Sequence, residues 1–103
     1  MTQGVVQDKV SAALVGALRL GQQRGLLKVE PMPAVSLESP KRPEWGDVSS
    51  TVAMSLSASE QRPPYEIAQI IIDHLEQQEA LFHRVEIARP GFLNLTVKQQ
   101  LWM

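Results

Sequence analysis

"VEIARPGFLNLTV", Val85 to Val97, is the stretch on which the fold of this 103-residue chain turns. Two runs of alternating residues flank Pro90-Gly91, the pattern of a β-hairpin. With Val85 and Ile87 facing the core, a period of two sends Arg84, Glu86 and Ala88 to the other side. On the return strand Leu93, Leu95 and Val97 form the apolar set, so Phe92, Asn94 and Thr96 share the opposite face. Matching core face to core face sets Ile87 opposite Leu93 and Val85 opposite Leu95. That register requires an odd loop, most simply Arg89-Pro90-Gly91 with Gly91 at positive φ. The residue before a proline avoids helical backbone, so a wider loop around Arg89 is the alternative.

The rest of the chain supplies helices for this hairpin to pack on. Val6, Val10, Ala13, Leu14, Ala17 and Leu18 recur at helical spacing and predict one amphipathic helix over residues 2–24, stopped by Gly25 in left-handed backbone. Pro31, Pro33 and Pro40 forbid a helix in the segment that follows. There Val35 and Leu37 alternate with Ser36 and Glu38 as a short strand at or near a sheet edge. "KRPEWGD" reads as a loop, and Asp47 stands as N-cap to a second helix over "VSSTVAMSLSAS", with Val52, Ala53 and Leu56 inward. After a break near Arg62–Pro63, a third helix starts with Pro64 in its first position, burying Ile67, Ile70, Ile71 and Leu75. The order helix, strand, two helices, hairpin predicts one α+β domain over residues 1–103. Its helices pack on one face of a small, mostly antiparallel sheet.

Composition narrows the functions. An apolar share of 44% and a charged share of 20% describe a globular chain. Ten basic and eleven acidic residues leave a formal charge of −1, so bulk polyanion attraction and DNA binding are not expected, and any nucleic-acid contact is local. The absence of cysteine fits a reducing, cytoplasmic setting. "VSAALVGAL" is too short for a membrane span and lacks a small-residue cleavage site, so neither a membrane segment nor a signal peptide is expected. The final "LWM" reads as an end cut off before further sequence.

Enzyme readings find little support. Asp73 and His74 are adjacent on a helix and point apart, and His83 lies in a strand. No Gly-x-Ser-x-Gly elbow, phosphate loop or metal-ligand spacing occurs, and Glu76 with Glu79 reads as a solvated helix face. No catalytic residue, metal or cofactor is assigned. A binding reading has more behind it. Phe92 and Asn94 on the hairpin's outer face, with Arg89 at its tip, bring together a stacking ring, an amide for base edges and a guanidinium for phosphate. Single-stranded RNA loops are read with that combination.

Three segments carry a family resemblance covering roughly residues 14–97. "EWGDVSSTVAMSLS" resembles the Gly-Asp…Asn-x-Ala-Met block of the N-terminal additional domain of bacterial-type arginyl-tRNA synthetases. "RPPYEIAQIIIDHL" is similar to that family's Pro-x-Glu-Ile-Ala helix, and "VEIARPGFLNLTV" resembles its closing Ile-Ala-Gly-Pro-Gly-Phe-Ile-Asn signature. Membership implies a two-layer module ahead of the catalytic domain that contacts the tRNA elbow, chiefly the D-loop. In the family an aromatic and a neighbouring amide of the closing hairpin hold a D-loop base, positions that fall on Phe92 and Asn94, with Arg89 near a third contact. Thr51 departs from the family's usual Asn and Arg89 from its usual Gly. The ATP motifs and the anticodon-binding domain are absent from this sequence. The resemblance therefore implies that ATP and arginine are handled by a catalytic domain outside it, itself an expected partner. The alternative is a protein-interaction module docking on a catalytic domain or another partner.

Overall fold

A computed structural model describes residues 2–29, 32–40, 42, 44, 46–75 and 78–98. The expected "LWM" terminus and Glu76 lie outside these residues. Helix α1 spans Thr2–Gln23. Its stripe of Val6, Val10, Leu14, Ala17 and Leu18 is buried at 2% exposure or less, as the spacing predicts. It ends where the sequence said it should. Gly25 adopts φ +75°, donates to the Gln22 carbonyl, and lets the Leu26 amide reach back to Gly21, a two-bond C-terminal closure.

The edge strand β1 spans Leu37–Glu38, displaced slightly from the predicted alternation. The next segment departs from expectation. Val48–Ser50 is not the start of a helix but strand β2, and Asp47 is not an N-cap. The Asp47 amide donates to the Leu95 carbonyl, and its carboxylate accepts from the Val97 amide at 2.9 Å. Two bonds to a neighbouring strand thus compete successfully with a helix cap, and a β-branched residue with two serines gives little helix propensity to resist. Helix α2 (Val52–Glu60) starts two residues after Ser50, whose hydroxyl accepts from the Val52 amide. Val52, Ala53 and Leu56 do face inward.

Helix α3 spans Pro64–Asp73 with Pro64 at its first turn. Ile67, Ala68 and Ile71 are fully buried, while Ile70 and Leu75 pack partly against the core. A one-turn helix α4, Gln78–Leu81, leads into the hairpin strands β3 (Phe82–Ala88) and β4 (Phe92–Val97). The sheet order is β1-β2-β4-β3, antiparallel throughout. Its inner face presents Leu93, Leu95 and Val97 to the helices, each at 4% exposure or less. Burying a side chain of that size contributes roughly 1.5–3 kcal/mol. The two-layer α+β architecture is the one expected.

The hairpin register is the predicted one: Val85 pairs with Leu95, Ile87 with Leu93, and Ala88 with Phe92, leaving three loop residues. One detail is corrected. Gly91 is not at positive φ; the Arg89–Pro90 peptide is cis. Glycine is needed at position 91 for a different reason. A Cβ there would stand 2.6 Å from the Pro64 Cβ, so the hairpin tip rests against the start of α3.

Candidate nucleic-acid interface

Strand parity divides the sheet into two surfaces. The inner row runs Leu37, Ser50, Leu93, Ile87 across the four strands. The outer row, one residue along, runs Glu38, Ser49, Asn94, Glu86. Phe92 lies on this outer face beside Asn94, two residues along the same strand. Phe92 and Asn94 therefore share one side of the sheet, and with Arg89 of the hairpin loop they line one cleft.

That cleft has a volume of about 280 Å³ and is walled by Glu38, Ser39, Pro40, Ser49, Ala88, Arg89, Phe92 and Asn94. Small-molecule sites start near 300 Å³, so the space suits one ring system rather than an extended ligand. Phe92 is half-buried and forms an apolar side. Asn94 is not on the open surface, as a hairpin viewed alone implies; at 6% exposure it is part of the floor, alongside Ser49 at 8%. Central position between β2 and β3 is what sinks it. Among the described residues neither the Asn94 carboxamide nor the Ser49 hydroxyl has a hydrogen-bond partner in the protein. Both line the cleft, and the buried side-chain polar atom left without a partner among the described residues, His74 Nε2, lies outside it.

Arg89 stays exposed at the rim. Its guanidinium carbon stands 4.7 Å from the centroid of the Tyr65 ring, a cation–π contact across to the first turn of α3. Among the described residues Arg89 has no carboxylate partner. Glu86 is engaged elsewhere, paired with Arg84 at 2.9 Å. Arg84 also donates to the Glu44 carbonyl.

Sequence reasoning identified the hairpin half of this site and missed the other half. Glu38, Ser49 and Tyr65 come from β1, β2 and α3, and none carries a motif of its own. Only the strand order brings the first two beside Asn94. The histidines stay outside the cleft: His83 is exposed, and His74 closes α3 with Nδ1 2.7 Å from the Ile70 carbonyl. Among the described residues no cluster of metal-ligating side chains occurs, and no helix is long and apolar enough to cross a membrane.

The chain is a small α+β domain with a cleft on the open face of its sheet, and sequence comparison gives its lineage. Residues 5–97 match the family described as "Arginyl tRNA synthetase N terminal domain", and this chain belongs to that family. The arginine–tRNA ligase of Staphylococcus carnosus is 45% identical over 93 residues, covering 90% of this chain and 17% of the ligase. The arginine–tRNA ligase of Symbiobacterium thermophilum is 38% identical over 94 residues, with 91% and 17% covered. The crystal structure of arginyl-tRNA synthetase from Plasmodium falciparum shares the fold, with a TM-score of 0.69 at 13% identity over 93% of this chain and 16% of that one. The 103 residues thus span about a sixth of the length of these relatives, the domain-sized part to which the sequence resemblance points.

Proposed function

We propose that this chain is a non-catalytic tRNA-binding domain of an arginyl-tRNA synthetase, holding an unpaired base of the tRNA elbow, in the D-loop, in the outer-face cleft. Phe92 stacks on the base, the Asn94 carboxamide bonds its edge, and Arg89 meets the adjoining phosphate. In this reading the ATP-dependent attachment of arginine is carried out by other parts of a cytoplasmic ligase. The observation that carries it is the convergence of a half-buried ring and an amide in one cleft that Arg89 also lines. Base–aromatic stacking supplies about 1–3 kcal/mol, enough for a contact that adds to others.

The test is an NMR titration of the isotope-labelled chain with a D-arm hairpin RNA. Amide resonances of residues 88, 89 and 91–94 and the Asn94 side-chain amide should move. Phe92→Ala should remove most of the response while leaving the dispersion of the core resonances intact. Unmoved resonances at high RNA concentration would refute the proposal.

A further inference from the structure

Arg89 lines the cleft from the hairpin loop, and the side chain it meets belongs to another element. Its guanidinium carbon stands over the Tyr65 ring, 4.7 Å from the centroid. Tyr65 lies in the first turn of α3, directly after Pro64. The backbones that carry the two side chains are themselves in contact. Gly91 packs so closely on Pro64 that an added Cβ would stand 2.6 Å from the Pro64 Cβ. The carboxylates nearest in sequence to these two residues are engaged elsewhere. Glu66 pairs with Arg62 at 3.6 Å and Glu86 with Arg84 at 2.9 Å. Among the described residues the Arg89 guanidinium has neither an ion pair nor a hydrogen bond.

The difference between a ring and a carboxylate governs what this contact can do. A carboxylate would occupy the guanidinium donors and cancel the charge, and a phosphate would then have to displace it. A ring attracts the cation through its quadrupole and leaves the edge N–H groups for a two-bond grip on a phosphate. It also restrains a long side chain. A free arginine loses much rotamer freedom when it closes on a phosphate, and one already held over a ring loses less.

We infer that Tyr65 is a positioning residue whose ring aligns the Arg89 guanidinium in advance for the phosphate beside the bound base. The inference rests on the RNA-binding reading and adds to it a residue that acts without touching RNA.

The test titrates the full 103-residue chain and its variants with a D-arm hairpin RNA over a series of salt concentrations. Tyr65→Leu should weaken binding about threefold, the cost of ordering one long side chain, and leave the salt dependence in place because the charge remains. Tyr65→Phe keeps the ring and should restore the parental affinity. Arg89→Gln should lower the slope of log affinity against log salt by about 0.7, the share of one phosphate contact on a single strand. Joining Tyr65→Leu to Arg89→Gln should add nothing to Arg89→Gln alone, since Tyr65 acts only through Arg89. Without RNA, the Arg89 side-chain protons should show an upfield ring-current shift in the parent and in Tyr65→Phe, and lose it in Tyr65→Leu. Unchanged core resonances verify that each variant folds. Parental affinity in Tyr65→Leu, or a loss that persists in the Arg89→Gln background, overturns the positioning role and leaves RNA binding standing. A salt slope that Arg89→Gln does not change does the same. If the RNA fails to move the Phe92 and Asn94 resonances of the parent, RNA binding falls, and the role of Tyr65 falls with it.

Discussion

Replacing Glu60 with alanine should be costly for a residue that touches no ligand. Glu60 ends α2 at 8% exposure, and its two carboxylate oxygens accept from the amides of Lys28 at 2.8 Å and Val29 at 2.9 Å. These bonds clasp the segment leaving α1 to the opposite helix. Val29 needs the clasp most. It is 2% exposed, and its φ of +43° is left-handed backbone that a β-branched residue rarely takes. A hydrogen bond to a charged group contributes about 1.5–3 kcal/mol. The Lys28 amide regains water when Glu60 is truncated, so its loss is small. The buried Val29 amide has no substitute and carries the full penalty. Release of backbone strain returns part of it, which leaves a net cost of about 2–3 kcal/mol. At a urea dependence near 1.5 kcal/mol/M, the unfolding midpoint followed by circular dichroism should fall by about 1.3–2 M with an unchanged slope. Glu60→Gln retains one accepting oxygen but turns an N–H toward the other amide, and should lose about half as much. Hydrogen exchange at the Val29 amide should accelerate in both variants. A midpoint within about 0.3 M of the parent for Glu60→Ala would refute the clasp.

Gly91→Ala places a methyl group 2.6 Å from the Pro64 Cβ and 3.0 Å from that residue's carbonyl carbon, so the hairpin tip must lift from α3. The expected cost is about 1–3 kcal/mol in thermal or urea unfolding, together with shifted amide resonances for Pro64's neighbours Tyr65 and Glu66. Asp47→Ala removes the acceptor for the Val97 amide and should cost about 1–2 kcal/mol. Its signature is faster exchange at Val97 with the helical circular dichroism signal unchanged, whereas a lost helix cap would lower that signal.

What the sequence reveals and what it hides follow one physical division. The hairpin register was legible because strand parity is local: once Leu93, Leu95 and Val97 are apolar, Phe92 and Asn94 must share the other face. The end of α1 was legible for the same reason, since Gly25 acts within its own turn. Strand β2 was not. Val48-Ser49-Ser50 is too short to display a period, and an aspartate followed by serines looks like a helix start. What makes it a strand is β4, 50 residues further on, through the Asp47–Val97 bond. The error spread to the site. With β2 read as a helix, Asn94 had no cross-strand neighbour on that side, so neither Ser49 nor Glu38 could be placed beside it. Gly91 shows a subtler gap: its identity matters, but for the proximity of Pro64, which only the packed chain reveals.

The charge balance determines what kind of contact the proposed interface makes. With a formal charge of −1, the domain gains little from phosphate neutralisation, the term that dominates non-specific nucleic-acid affinity. A single stacked base at about 1–3 kcal/mol corresponds to roughly 5- to 150-fold in affinity. That is weak for a free module and ample for one joined to a larger RNA-binding protein. There the contact becomes intramolecular, and its energy is added to affinity already present. The same factor then acts as a discriminator. A tRNA that places an acceptable base in the cleft gains it, and one that does not forfeits it without clash elsewhere. Low net charge is an advantage in that setting, because phosphate attraction raises the affinity of every RNA equally and dilutes the contribution of one base.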